Sequence, residues 1–440
     1  MLRNKESFCV LCRKHFRLSQ LAAAPMLLLA ATGAWAASPE NQGPVVQMFT
    51  IPVPVAASNK TGGMYGFDIS FVDQASQTYF LGDRSNAAVD EVNAKTGVFV
   101  RQIKASPPFA GATGNNATSG PNGVASGGGC LFAGDGPSRV VSFVLPGGSQ
   151  ASSISTGGTF RADELAFDPT NRILIVANNA DSPPFATLLN VSSACKLSIR
   201  HRITYAFATN GAEQSAWDPA TKRFYQSIPS ISGTSAAPGP LGAVIRINPL
   251  SGTIENMFAV PYCMPAGLSL GPNQTFLAGC SVVYDTAGNP WFGADTASAN
   301  PYQVVIDTNG VYGFVPGVGS SDEVWYNSGD NHWYTGTSNS PYSAHPVASM
   351  TGATSTTDEG AAVLGVIDGT SQSLDQIVPT LNVPAVTGKH VSGSSHSVAA
   401  NAANNWVFVP IPANNAILGC LTGCIAVYGR QDIDKTAAND

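Results

Sequence analysis

The chain has 440 residues, with 45 glycines, 30 prolines, only 11% charged residues and a formal net charge of −6. A chain rich in glycine and proline suits many short strands joined by turns. No cluster of Lys or Arg follows residue 36, which argues against nucleic acid as a partner, because binding to phosphates needs grouped basic side chains.

The N-terminal segment has the pattern of an export signal. Five basic residues precede an apolar run over 21–31, and Ala34-Trp35-Ala36 has the small-x-small form of a signal-peptidase site. We predict a signal peptide over 1–36, with an uncleaved anchor as the alternative. Cleavage removes five basic residues and one acidic residue, so the net charge becomes −10. We expect an exported protein, periplasmic or extracellular, without membrane attachment, since no later apolar run reaches the roughly 18 residues of a spanning helix.

The segment that follows the signal alternates like an edge strand over 45–54, yet it precedes the first complete hairpin. The last repeat of the chain has only three strands, at 396–400, 405–409 and 424–429. We predict that 45–54 supplies its fourth strand, so that the two ends of the chain meet in one sheet and close a ring.

A repeated β-hairpin predicts the fold. Residues 165–167 and 173–177 form two apolar strands around the Asp168-Pro169 turn, and the unit occurs seven times at spacings of 41 to 74 residues. That spacing is the length of one four-stranded propeller blade with its loops. We therefore predict an all-β protein, a seven-bladed β-propeller over 37–430, with a polar tail over 431–440.

Six cysteines follow the predicted signal, and an even number in an exported chain favours disulfides. A zinc site is the weaker alternative, because none of the six forms a CxxC pair. Two cysteines lie opposite each other across a predicted hairpin, and two others lie at the ends of a short loop, so each of these sets is predicted to form a disulfide. The two cysteines that remain form the third predicted pair by elimination. The predicted pairs are Cys263–Cys280, Cys420–Cys424 and Cys130–Cys195.

Six of the seven repeats begin with a side chain that can bind a metal or move a proton. In a propeller the first strand of every blade lines the central channel, so these side chains should meet at one mouth. Long loops near 229–242, 281–301 and 338–361 should rise around the same mouth. The six residues are Asp68, Asn122, Asp163, Glu213, Asp322 and His396.

This set has the chemistry of a divalent-cation site. Carboxylate and amide oxygens suit Ca²⁺, Mg²⁺ or Mn²⁺, one histidine also permits Fe²⁺ or Zn²⁺, and grouped carboxylates repel unless a cation or proton lies among them. The alternative is that these side chains only bond the backbone of neighbouring blades around a water-filled channel. The predicted metal ligands, with calcium as first choice, are Asp68, Asn122, Glu213, Asp322 and His396.

Further residues complete this hypothesis. Asp163 and Asp322 are candidates to take a proton from a metal-bound water. Arg84, in a turn on the same rim, could hold a substrate carboxylate or simply belong to a surface turn. Glu164 and Glu323 directly follow two of the six residues. Because side chains alternate along a strand, we expect these two to point away from the direction of the residues that precede them. Their expected roles are substrate binding or a bond to the adjoining blade.

Motifs of other catalytic classes are out of context or missing. Residues 267–271 match the GxSxG pattern, but they lie within a predicted first strand, whereas a nucleophile elbow needs a strand-to-helix turn. The P-loop, HExxH and dinucleotide-binding glycine patterns do not occur.

The hairpins resemble those of YVTN-type seven-bladed propellers. The resemblance rests on Asp168-Pro169 with the strand that follows it, on the stretch 79–86 and on Thr96-Gly97 at the end of the first repeat. It covers most of the chain after the signal and implies a seven-bladed propeller. That family includes exported proteins, some of them implicated in binding.

The polar ring is similar to that of the gluconolactonase and regucalcin propellers, in which Glu, Asn and Asp hold a divalent cation that polarises a lactone carbonyl. The resemblance implies those roles for Glu213, Asn122 and Asp322, although their order along the chain differs and His396 is additional. Two hypotheses follow. The first is a metal-dependent hydrolase of a small lactone or ester. The second is a non-catalytic monomer that binds a small polar molecule or a protein through its rim loops.

Overall fold

The computed structural model describes residues 42–290, 301–340 and 361–432. The predicted signal peptide, parts of two of the long loops and the end of the predicted tail lie outside these residues. Gly43–Asp440 form one compact unit. In the part of the chain that is described, no helix is long and apolar enough to cross a membrane.

Four-stranded antiparallel sheets make up the described residues, and the hairpin at Asp168 shows how each begins. Strands β10 (Leu165–Asp168) and β11 (Ile173–Asn178) pair around a turn in which the Asp168 carboxylate accepts from the Thr170 amide at 2.8 Å. Strands β12 (Phe185–Val191) and β13 (Leu197–Thr204) complete the sheet in chain order. All residues of β10 and β11 are buried, because neighbouring sheets cover both faces.

The other sheets of the described chain repeat this order. Two sheets precede β10: β2 (Ser70–Asp73), β3 (Thr78–Asp83), β4 (Ala88–Asn93) and β5 (Val98–Ile103), then β6 (Val124–Gly127), β7 (Cys130–Asp135), β8 (Arg139–Val144) and β9 (Ser149–Ser155). Two further groups of four strands follow the sheet of β10, and one parallel pairing, of Leu241 with Cys263, joins these two groups. They are β14 (Ser215–Asp218), β15 (Arg223–Ile228), β18 (Leu241–Ile247) and β19 (Ile254–Pro261), then β20 (Cys263–Leu270), β21 (Phe276–Val283), β22 (Tyr302–Asp307) and β23 (Gly310–Pro316).

The remaining elements lie in the C-terminal third and in the connections. One more sheet contains β24 (Ser321–Asn327), β25 (His332–Ser340), β26 (Ala361–Asp368) and β27 (Leu374–Pro379), and the last contains β28 (Ala399–Asn401), β29 (Trp406–Ile411) and β30 (Cys424–Asp432). The connections carry the hairpin of β16 (Gly233–Thr234) and β17 (Ala237–Pro238) and two short 3-10 helices, Asn116–Thr118 and Pro272–Gln274.

The first strand of the chain belongs to the last sheet, as predicted. Strand β1 (Gln42–Pro52) pairs with β30, which gives the order β1-β30-β29-β28. The Gln376 side chain of the adjoining sheet bonds the amide and the carbonyl of Val45 at 2.8 and 2.9 Å. Because β30 extends to Asp432, the first two residues of the predicted tail are strand.

The first strands of successive four-stranded groups lie next to one another. The apolar core lies between neighbouring sheets. β2 contacts β6, and the contacts continue through β10, β14, β20, β24 and β28, which in turn contacts β2. Phe80 and Val89 of one sheet, for example, share a buried cluster with Leu131 and Phe143 of the next. This all-β architecture is consistent with a β-propeller.

All three predicted disulfides are present. Their Cα–Cα distances are 5.6 Å for Cys130–Cys195, 5.3 Å for Cys263–Cys280 and 4.7 Å for Cys420–Cys424. The first joins β7 to the turn between β12 and β13, and so links two neighbouring sheets.

We expect the disulfides to contribute unequally to stability. The Cys130–Cys195 bond closes a segment of 65 residues and Cys420–Cys424 one of only 4. The double variant Cys130→Ser/Cys195→Ser should therefore lose about 4 kcal/mol of unfolding free energy and Cys420→Ser/Cys424→Ser about 2 kcal/mol, measured by urea titration. An equal or reversed loss would contradict this order.

Candidate functional site

Four of the six predicted residues lie at β-bulges that precede the first strands. Before β10, the Asp163 amide donates to the Ala177 carbonyl at 2.8 Å, whereas the Ala177 amide donates to the Glu164 carbonyl at 2.9 Å, so two residues oppose one. A bulge re-aims the side chains of its two residues. The same pattern occurs at three other repeats: Asp68 and Ile69 opposite Gly82, Asn122 and Gly123 opposite Gly134, and Glu213 and Gln214 opposite Ser227.

Arg84 links two of the six predicted residues and a third residue that was not predicted. Its guanidinium donates to Asp68 through Nη2, to Asn122 Oδ1 through Nε at 2.9 Å, and to Asn116 Oδ1 through Nη1. The other oxygen of Asp68 lies 3.3 Å from Nε2 of His396. Burial acts to raise the pKa of Asp68, but the charge of Arg84 and the bond to His396 outweigh it and hold that pKa below its ordinary value. Asp68 is therefore an ionised partner of two cations.

His396 is the second of these cations. Burial acts to lower its pKa, but the bond to Asp68 and the charge of Asp322 raise it above the ordinary value. Its Nδ1 lies 2.8 Å from the carbonyl oxygen of Ser394, an acceptor that requires a proton on that nitrogen. The ring is thus an imidazolium with both N–H groups engaged.

Asp163 forms a second ion pair, with Arg161. The Arg161 Nε donates to Asp163 Oδ2 at 2.8 Å, and its Nη1 donates to the backbone oxygen of Asn116 at 3.3 Å. The other oxygen, Asp163 Oδ1, is buried and accepts no hydrogen bond from a donor among the described residues, although the carboxylate of Asp68 lies within hydrogen-bond reach of the Asp163 side chain. Burial raises the pKa of Asp163 to about 6, although Arg161 opposes the rise.

Glu213 and Asp322 lie within electrostatic reach of these pairs. Burial raises the pKa of Glu213 well above its ordinary value, and the charges of Asp163 and Asp322 add to the rise. Glu213 Oε1 accepts from Asn179 Nδ2 at 3.3 Å, whereas Asn179 Oδ1 is buried without a partner in the described structure. The structure thus brings the six predicted residues into one group.

The carboxyl groups of Glu164 and Glu323 lie within hydrogen-bond reach of each other, although they come from sheets that are not adjacent. The bulge at Asp163 and a register shift between Ser321 and Glu323 interrupt the strand alternation on which their expected directions rested. Both side chains are buried, at 4% and 2% exposure. Burial raises the pKa of Glu164 to about 8 and that of Glu323 well above its ordinary value, so the pair holds a proton.

No protein-family model matches the chain, and no curated protein matches it. Solved structures do match, in 1352 chains. One is hydrazine synthase of Kuenenia stuttgartiensis, which is 12% identical with a TM-score of 0.60 and covers 87% of this chain and 99% of that chain. At this identity the likeness shows the fold alone.

Three of the five predicted metal ligands, Asp68, Asn122 and His396, are bonded to other residues of the chain. Arg84 and His396 engage the oxygens of Asp68, and Arg84 takes the oxygen of Asn122, whose amide nitrogen donates to two backbone carbonyls at 3.0 Å. Among the residues described, no group of three or more His, Cys, Asp or Glu side chains could hold a metal ion. Arginine and histidine side chains supply positive charge beside Asp68 and Asp163, and the divalent cation stays a prediction.

Neither serine near the site is an activated nucleophile. Ser394 Oγ lies 3.0 Å from His396 Nδ1, but that nitrogen already carries a proton and cannot accept another. Ser269, in the GxSxG match, lies in β20, where its Oγ accepts from the Tyr326 amide at 2.9 Å. Its rejection as a nucleophile is therefore consistent with the structure.

Sequence reasoning missed Arg161, Asn116 and Asn179. Arg161 precedes Asp163 by two residues, so a search for cations beside the acidic positions would have found it. Asn116 lies in the long connection between β5 and β6, and no local pattern indicates that it reaches two arginines.

The Glu164–Glu323 pair predicts a pH-dependent stability. The folded protein binds this proton more tightly than the unfolded chain, so stability should be lost as the pH rises from the ordinary carboxyl range to about 8, the raised pKa of Glu164. In Glu323→Gln the amide can donate to Glu164 without titrating, and this loss should shrink. Urea titrations between pH 5 and 9 test it, with Glu91→Gln on β4 as the control. Parallel profiles for Glu323→Gln and the wild type would contradict the prediction.

Proposed function

We propose that this protein is an exported, closed seven-bladed β-propeller that binds a small polar molecule at the mouth of its channel. The contacts that run from β2 through the successive first strands to β28, together with the pairing of β1 with β30, support the closed ring. The three disulfides support export, because such bonds persist in oxidising compartments. An experimental structure would test the blade number.

The observation that carries the binding proposal is a set of acceptors without protein donors. Asp163 Oδ1 and Asn179 Oδ1 are buried and unpartnered within the described residues, and Glu213 and Asp322 lie beside them, partly exposed. A buried acceptor without a partner costs about 1–3 kcal/mol, and a ligand that donates hydrogen bonds would offset this cost. We therefore favour a ligand rich in hydroxyl or ammonium groups.

We favour binding over hydrolysis because residues that a metal-dependent hydrolase would need are already engaged by arginine. A metal-dependent lactonase needs Asp68 and Asn122 to offer oxygen lone pairs to the cation, and Arg84 occupies them. Asp163, the candidate to take a proton from water, is paired with Arg161. The metal-dependent hydrolase remains the second hypothesis, since the oxygens of Glu213 and Asp322 are not engaged by arginine.

The binding proposal predicts that a small polar compound stabilises the wild type. Thermal unfolding with pools of sugars, polyols, amines and small acids should give at least one compound that raises Tm. In Glu213→Gln/Asp322→Asn its Kd should rise about tenfold, because each amide places a donor where an acceptor is needed. The control is Glu255→Gln, which breaks an outer ion pair with Arg223. No stabilising compound, or equal affinity in the double variant, would refute the proposal.

Elemental analysis tests the second hypothesis. We expect purified wild type, dialysed against metal-free buffer, to contain no stoichiometric divalent cation. Stoichiometric metal that disappears in Asp68→Ala/Asp322→Ala would instead support the hydrolase. Asp322→Ala alone, which leaves the Asp68–Arg84 pair intact, guards against loss of metal through unfolding.

A further inference from the structure

Two guanidinium groups at this site donate to the same residue, Asn116. Arg84 Nη1 donates to the side-chain oxygen of Asn116, and Arg161 Nη1 donates to its backbone oxygen at 3.3 Å. Asn116 begins a short 3-10 helix whose preceding residue, Asn115, accepts from the Ala117 amide at 3.0 Å. The charge of Arg161 also acts to lower the pKa of Arg84, so the two like charges lie within reach of each other.

Both arginines keep donors to spare. A guanidinium has five N–H groups. Within the described residues Arg84 uses one each of its Nε, Nη1 and Nη2 donors, toward Asn122, Asn116 and Asp68. Arg161 likewise uses Nε and Nη2 toward Asp163 and Nη1 toward Asn116. Two N–H groups of each arginine therefore remain without a described partner, and paired N–H groups of this kind match a carboxylate.

The other polar groups at the mouth are acceptors. Asp163 Oδ1 and Asn179 Oδ1 have no donor among the described residues, and Glu213 and Asp322 are partly exposed near them. A ligand that satisfies both sets carries an acid at one end and hydrogen-bond donors at the other. A phosphate suits the site less well, because its larger negative charge would face Asp68 and Asp163.

We propose that the ligand is a small carboxylate that bears an ammonium or hydroxyl group, such as an amino acid or a hydroxy acid. Its carboxylate binds the free N–H groups of Arg84 and Arg161, and its donors bind Asp163 Oδ1, Asn179 Oδ1, Glu213 and Asp322. This inference rests on the proposed binding function and names the chemical class that the mouth selects.

Calorimetric titration with matched probes tests this selection. The probes are the standard amino acids, lactate, malate and gluconate, each strong binder being compared with its amine or alcohol counterpart without the carboxylate. We expect removal of the carboxylate to weaken binding at least about tenfold, the usual scale for losing a charge-assisted pair of hydrogen bonds. Preference for the amino acids or for the hydroxy acids identifies the donor as ammonium or hydroxyl.

Two variants separate the arginine pair from the rest of the mouth. Asn116→Ala removes an exposed side chain that orients Arg84, and Arg84→Lys keeps the charge but loses the planar N–H pair. Each should weaken carboxylate probes about tenfold and leave the carboxylate-free counterparts unchanged. Asn256→Ala, another exposed asparagine on the outer strand β19, is the control and should bind like the wild type.

The outcomes distinguish this inference from the function on which it rests. Equal binding of a probe and its carboxylate-free counterpart, or unchanged affinity in Asn116→Ala and Arg84→Lys, would overturn the inference. If neutral sugars or polyols bind instead and Glu213→Gln/Asp322→Asn weakens them, the binding function stands without the carboxylate. If no small molecule binds the wild type, both proposals fall.

Discussion

The candidate site depends on a β-bulge repeated where the first strands begin. At each of four repeats two residues oppose one small residue, Gly or Ala in three cases and Ser in the other. The small residue also allows the neighbouring sheet to approach closely. A Cβ atom on Gly82 would overlap the carbonyl oxygen of Asn122, and a Cβ atom on Gly134 would overlap the carbonyl oxygen of Ala162. The bulge therefore does two things: it lets neighbouring sheets approach closely, and it places the polar side chains of the site.

The charges of the mouth balance through ion pairs within the chain. Asp68 faces Arg84 and His396, and Asp163 faces Arg161. Buried charges are tolerated when they are paired and hydrogen-bonded. Because Arg84 and His396 engage both oxygens of Asp68, and Arg84 also engages the oxygen of Asn122, we place binding ahead of metal-dependent hydrolysis.

A raised carboxyl pKa does not by itself mark a site in this protein. Asp90, on β4, is fully buried, and burial with the neighbouring Asp83 raises its pKa well above the ordinary value. No basic side chain contributes to that shift, and Asp90 and Asp83 belong to one sheet. At the mouth, by contrast, acids from several sheets surround two arginines that have unused donors. Asp90 and the acids of the candidate site are both buried, so what distinguishes them is the arrangement of the surrounding side chains.

The sequence by itself determined the elements and their chemical content. Alternating apolar residues around Asp-Pro and related turns specify each hairpin locally, and the cysteine positions indicated two disulfide pairs directly and the third by elimination. The repeat also identified Asp68, Asn122, Asp163, Glu213, Asp322 and His396, because equivalent positions in similar hairpins meet where the first strands meet. Only the tertiary structure decided that Glu164 and Glu323 lie within hydrogen-bond reach of each other, since a bulge cancels strand alternation. It also decided that Arg84 and Arg161 supply the positive charge, because both reach Asn116 from segments that are distant in sequence, and no local pattern encodes such contacts.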